Sequence, residues 1–269
     1  MSNQRYRFAA MAAVAIRILV ALGVVGLIVW SFRGIPFDLS RLHEGLIGAK
    51  EFVLGMVPRT AAEWAKDVHY ASTLKTALNQ TIQMAVVGTT LGAVVAFPLS
   101  FLAARTTSLF RPLSVAVKTF LNIGRAIPIM LYALFIVTVI GLGAPAGALA
   151  IGIGSFVMLA KLYAEALESV SPGPVEAVRA VGGSPVQIFV FAMLPQVFPN
   201  YLSATLYALE LNLQASFVLA IVGAGGIGGE LWDNIRIFRY LEVGVIVSAL
   251  IVIVNAVDYA SYRVRQIFS

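Results

Sequence analysis

The run AIPIMLYALFIVTVIGLGAPAGALAIGIGSFVMLA, Ala126 to Ala160, holds 35 consecutive residues without a charge. A bilayer's hydrocarbon core takes about 20 helical residues, with a lower limit of about 17. The run is therefore too long for one crossing and slightly short of two, and Gly141, Gly143 and Pro145 supply a break near its centre. It reads as two short spans, 126–142 and 145–163, joined by a tight turn. Upstream, Ile82 to Ala104 is uncharged over 23 residues and closes on Arg105, Arg111 and Lys118. Downstream, Val197 to Val222 carries one charge, Glu210, and Val243 to Val257 carries none before Asp258. At the start of the chain, Phe8 to Trp30 carries only Arg17, and the residues that follow, Trp30-Ser-Phe-Arg33, lack the small-x-small pattern of a signal-peptidase site. The expectation is an all-α polytopic membrane protein, one transmembrane domain over 1–269, with six spans at about 8–30, 82–104, 126–142, 145–163, 197–222 and 243–260. The stretch 33–79, with five of the thirteen carboxylates, reads as an outer loop.

Composition agrees with lipid as the solvent. Of 269 residues 59% are apolar and 12% charged, where a soluble domain carries about a quarter charged; the mean hydropathy is +0.89. Without cysteine there is no disulfide framework, no thiolate nucleophile and no thiolate-held metal, and two histidines, His43 and His69, leave little for metal chemistry. The net charge of +6 reads as lysine and arginine flanking spans; no run of five basic residues speaks for nucleic acid. Arg5, Arg7, Arg105, Arg111, Lys118, Arg263 and Arg265 stand on short flanks, which assigns both termini to the cytoplasm. The segment 165–195 is then a cytoplasmic loop.

That loop contains two helix starts. Ser171 precedes Pro172, and Ser184 precedes Pro185 with Gln187 three residues on, a capping box that makes Gly182-Gly183 a turn between two short helices. Val175, Val178 and Val181 recur every three residues as a narrow apolar ridge flanked by Glu176 and Arg179. Such a ridge either packs on its own bundle or fits a groove on another protein.

Glu176-Ala177, Gly182 six residues after the glutamate, and Leu194-Pro195 resemble the EAA signature of ABC importer permeases, with Val178 and Ala192 as mild departures. Further stretches are similar to the phosphonate-type permease subfamily: Asn79 to Thr89, Pro98 to Arg105, Gly124-Arg-Ala-Ile-Pro128, Gly141-Leu-Gly143, Lys161 to Ala166, Ile221 to Gly228, and Asp258 ahead of Arg263. The resemblance implies a homodimer in the cytoplasmic membrane, surrounded by lipid and served by an extracytoplasmic binding protein and two ATPase subunits that bind ATP-Mg in its stead. It implies a transport subunit with no cofactor and no catalytic residue of its own. The coupling set would be Val175, Glu176, Ala177, Arg179, Gly182 and Gly183, and the cargo phosphonate or a related phosphorus oxyanion, phosphate or phosphite.

A passive conduit is also what the residues suggest. No carboxylate occurs from Val68 to Ala164, so spans two to four lack the acid relay of a proton-coupled carrier. Gly223, Gly225 and Gly228 fit the GxGxxG spacing, but no strand-helix unit surrounds them and they read as a turn or close packing. Candidate pathway residues are Arg125, Glu210, Asn212, Gln214 and Ser216. Glu210 either meets cargo or pairs with an arginine, and Arg125 is either a pathway cation or an interfacial anchor. Gln214 stands where the family often carries arginine. An importer of another small solute, such as methionine, and an ion-coupled carrier using Glu210 and Asp258 remain alternatives; no serine-histidine-acid set supports an enzyme.

Overall fold

The computed structural model describes residues 2–34, 39–108 and 110–268, with side chains for 14, 16–34, 41 and 44 onward within those ranges. Residues 35–38 and the side chains of Arg5, Arg7 and His43 lie outside the described residues. In chain order the helices are α1 (Ser2–Gly34), α2 (Leu39–Gly55), α3 (Ala61–Thr73), α4 (Lys75–Ala103), α5 (Arg111–Ala126), α6 (Ile129–Ile140), α7 (Ala144–Glu168), α8 (Pro172–Ala180), α9 (Pro185–Ile188), α10 (Leu194–Leu219), α11 (Ile227–Arg236) and α12 (Tyr240–Phe268), with no strand among the described residues. The contacts group the chain into two compact units, 1–54 and 55–269.

Five of these helices are long and apolar enough to cross a membrane, and a sixth crossing is formed if the bent pair α5–α6 counts as one span. The all-α, multi-pass expectation is met. In the first unit the apolar stretch Ile16–Gly34 of α1 has 19 residues, which at 1.5 Å per residue suffices for the hydrocarbon core.

Within the stretch 33–79 the described residues are largely helical. It contains α2 and α3, because mixed charge rules out a span without ruling out a helix. α3 opens on a capping box in which the Thr60 side chain accepts from Glu63 N–H and Glu63 reaches back to the backbone of Thr60. Glu63 also accepts Arg59 N–H at 2.6 Å, and this bond above all holds its carboxyl below the usual range.

The second unit is organised around α4 and α7. Gly88 and Gly92 on α4 face α7 so closely that a Cβ at Gly88 would stand 2.5 Å from Ile151 Cγ2 and one at Gly92 2.4 Å from Ser155 Cβ. Small residues four apart let two backbones approach where lipid provides no hydrophobic drive for association. α5, α6 and α10 pack on the remaining sides of α7. α10 ends in a turn with Gly223, Gly225 and Gly226 at positive φ, where Gly143 N–H reaches Gly223 O at 2.9 Å. The turn-or-packing reading of this glycine cluster accords with that geometry.

The third crossing departs from expectation. A span over 126–142 is replaced by α5 and α6 meeting at 83°. Pro128 bars its predecessor from the helical region, and Ile127 accordingly sits at φ −85°, ψ 120°. α6 alone has 12 residues, about 18 Å, too short to cross. Tyr132 O–H donates to Gly124 O at 2.8 Å and steadies the bend.

Gly92→Ala should lower stability by about 1–3 kcal/mol, since the neighbours across the contact are backbone and a short side chain. Gly229→Ala, where the nearest atom is Ala220 O at 3.9 Å, should be nearly neutral; thermal unfolding in detergent of the two variants checks the contrast.

Candidate functional site

The loop after α7 begins at a clamp. Glu168 accepts from Lys118 Nζ and from Arg105 N–H, both at 2.7 Å, and Thr106 Oγ1 donates to Leu167 O at 3.3 Å. Three chain segments are thus tied together where the loop departs. Ser171 takes the N-cap position of α8 without a side-chain cap bond; instead its N–H donates to Gln196 Oε1 at 3.0 Å. The second capping box forms as expected, with Ser184 N–H to Gln187 Oε1 at 2.8 Å and Gln187 N–H to Ser184 Oγ at 3.4 Å.

Gly182 lies at φ +82°, with open space where a Cβ would point. Gly183 N–H bonds Val178 O at 3.0 Å, and a Cβ there would stand 2.6 Å from Val178 Cγ1. The valine ridge does not face outward as a unit. Val175 packs against the body's apolar core, and Val178 is half-buried beneath Gly183. A three-residue repeat drifts around a helix of 3.6 residues per turn, so only Val181, 85% exposed, stands free. The outward surface consists of Glu176, Ala177, Ala180 and Val181. Behind the loop is a cleft of about 710 Å³ lined by Phe101, Val175, Arg179, Phe189 and Met193 among others. α9 continues through a π-helical turn, Phe189–Met193, directly into α10.

Along α10 the pathway candidates separate. Asn212 is buried and its Nδ2 donates to Thr89 Oγ1 at 2.7 Å and Ser155 Oγ at 2.6 Å, knotting α4, α7 and α10 together. Ser216 is buried and turns its hydroxyl back to Leu213 O. Glu210 points to α12, where Arg265 donates to it; of the two readings of this buried charge, the structure shows the arginine pair. Gln214 is exposed on a neighbouring face.

Arg125 lies at the C-terminal end of α5. α5 runs back along α7, with Lys118 against Glu168, Lys161 Nζ to Asn122 Oδ1 at 3.3 Å, and then Gly124 against Val157. Arg125 therefore stands level with Ser155 and Val157, near the middle of α7. It lines a cleft of about 240 Å³ with Gly154, Ser155, Leu211 and Asn212. The guanidinium is exposed and has no ionic or hydrogen-bonding partner among the described residues. Arg125 and Asn212 are brought together, while Glu210, Gln214 and Ser216 are not. Ser155 and Thr89 escaped the sequence reading because a lone hydroxyl in an apolar run carries no spacing signal. Among the described residues no group of three histidines or carboxylates could hold a metal.

The arrangement is that of a multi-pass transport component with a shaped loop at one end and, level with the middle of α7, a largely apolar cleft that Arg125, Ser155 and Asn212 border. Residues 96–269 match the binding-protein-dependent transport system inner membrane component family, and the chain belongs to it. It is a permease subunit, not an enzyme. It is 38% identical over 191 residues to the phosphite transport system permease protein PtxC of Stutzerimonas stutzeri, covering 71% of this chain and 70% of that one. It is 40% identical over 193 residues to the phosphate-import permease protein PhnE of Mycolicibacterium smegmatis, covering 72% of this chain and 36% of that longer protein. The fold is similar to that in an inward-facing structure of the MetNI methionine ABC transporter, with TM-score 0.66, 24% identity, and 73% and 96% of the two chains covered.

Arg265→Leu and Glu210→Gln should each destabilise the chain, and the double variant should recover part of the loss. A double-mutant cycle by thermal unfolding should give a coupling of about 1 kcal/mol, modest because Arg265 is one-third exposed.

Proposed function

We propose that this chain conducts a phosphorus oxyanion, phosphonate, phosphate or phosphite, across the cytoplasmic membrane as the permease of an ATP-driven importer. Two copies form the conduit, and two ATPase subunits, which bind ATP-Mg, dock beneath it. An extracytoplasmic binding protein delivers cargo from the other side. Both termini and the loop 165–195 face the cytoplasm. The six coupling residues divide by their placement. Glu176 and Ala177 present the outward face, Gly182 and Gly183 shape the turn, Arg179 borders the cleft behind the loop, and Val175 transmits its displacement into the core. α9, the π-turn and α10 carry the motion to Leu211 and Asn212.

The observation that carries the cargo reading is Arg125. A charged side chain halfway through the spans costs several kcal/mol unless it faces water or a partner, and this one is exposed beside a cleft lined by Ser155 and Asn212. The first turn of α6, at Ile129 in the same cleft, adds the positive end of a helix dipole. With Asn212 and Ser155 already bonded to each other, Arg125 and the helix end are what would meet a small oxyanion in transit, and they make up for the neutral Gln214. The names of the two relatives point to the same cargo class. Glu210, already paired, contributes to packing.

Labelled phosphate uptake, with phosphite and methylphosphonate as competitors, tests the reading in cells with and without the gene. Loss of uptake of one of these anions on deletion is expected; unchanged uptake of all three would overturn it. Arg125→Gln should lower uptake by about 10- to 100-fold, the range of a charge-assisted hydrogen bond, with Arg125→Lys recovering part.

Gly182→Asp should leave the chain folded, because the space beside it is open and aspartate tolerates positive φ, yet uncouple it. Retention of the ATPase subunits on an affinity column together with uptake reads this directly; normal values for both would remove the docking assignment.

A further inference from the structure

The last turn of α12 lies beside the start of α10, where Phe268 meets Phe198 edge-on at 5.7 Å between centroids. Its first turns therefore lie at the end of the bundle away from the α8 loop. There one side of α3 is anchored: Leu74, its C-cap, is buried with Ile227 and Ile246, and the Tyr70 hydroxyl accepts from Asn234 Nδ2 at 2.9 Å. The neighbouring side is not covered. Trp64, Asp67, Val68 and Ala71, one helical stripe, line a groove of about 490 Å³ whose opposite wall is α12 from Gly244 to Ile253.

The groove has the depth and lining of an acyl-chain site. Its α12 wall is about 15 Å long, the thickness of one leaflet's hydrocarbon, and every residue lining it other than Asp67 and Ser248 is apolar. α12 is the least buried span of the second unit, so this face meets lipid. Trp64, more than half exposed on the rim, is the residue type that settles at headgroup level. Asp67 stands at the same end without an ionic partner among the described residues. Burial pushes its carboxyl above the usual range, and Glu242 and Glu63 push it further. Lys66 and His69, its nearest cations in sequence, line a separate cavity with Glu242. A cation arriving from the lipid would relieve this field, whereas an anionic headgroup would add to it.

We propose that the groove between α3 and α12 is a binding site for an aminophospholipid of the leaflet away from the α8 loop, with one acyl chain along Gly244 to Ile253 and the headgroup ammonium against Asp67. The site requires only that α12 cross the membrane; neither the cargo nor the direction of transport enters. Such a lipid would join α3 to α12 on the side where the protein itself leaves them apart.

The test uses the whole chain purified in detergent, stripped of lipid and titrated with phosphatidylethanolamine or phosphatidylglycerol of the same acyl chains, with bound lipid read by native mass spectrometry. The ethanolamine lipid should half-saturate the chain at a concentration about fivefold lower, the upper range for a partly exposed ion pair. Asp67→Asn should bring the two lipids level. Ala71→Trp, at an exposed position that fills the groove, should weaken retention of both; thermal unfolding of each variant without lipid should match the wild type, which separates loss of the site from loss of the fold. Equal half-saturation of the wild type by both lipids would overturn the ammonium assignment, and so would a preference that survives Asp67→Asn. Retention of lipid undiminished in Ala71→Trp would place the lipid elsewhere, and a wild type that retains none would mean that protein covers the groove; either result removes the site.

Discussion

Where α4 crosses α7, the absence of side chains at Gly88 and Gly92 brings two backbones into contact, and most of the second unit is arranged around that contact. In a bilayer, lipid tails compete with any apolar side chain for an apolar face, so association comes from close fit and from hydrogen bonds shielded from water. The fit supplies the first term directly. It supplies the second indirectly, since only with the two helices this close can Asn212 reach Thr89 and Ser155 together. The polar knot and the small-residue seam are therefore one device.

The broken crossing depends on the same seam. α7 offers its remaining sides to α5 and α6, and the Ile127-Pro128 break falls beside Gly154. A straight helix would have carried Arg125 along a continuous face; the 83° bend instead places it at an opening beside α10. α10 in turn begins at the loop that α8 and α9 form. The loop and the α10 wall of the cleft, Leu211, Asn212 and Ala215, thus lie on one continuous length of chain.

Much of this was legible in advance. Charge-free runs mark crossings because a charge in hydrocarbon is costly, and five helices follow that rule. The same rule set Arg125 at the edge of the third run and gave no sign that the chain there is two helices meeting at 83°; a charge looks like a boundary whether or not the helix continues through it. The capping box at Ser184 was readable, and the equivalent one at Thr60 and Glu63 was passed over within a polar stretch. The direction of Val175 could not be read, because periodicity defines a face without saying what it meets. Nor could the partner of Glu210, since Arg265 follows 55 residues later and no local pattern links them.

The π-turn at Phe189–Met193 has a geometric consequence of its own. A π-turn holds one residue more than the α-helix would, and each helical residue advances the azimuth by about 100°. The orientation of α8 and α9 about the bundle is therefore offset from the orientation of the polar residues on α10. Loss of that extra residue would rotate one set against the other while leaving every side chain in place. Length variation at this turn, rather than substitution, is the economical way to re-aim the loop without disturbing the spans.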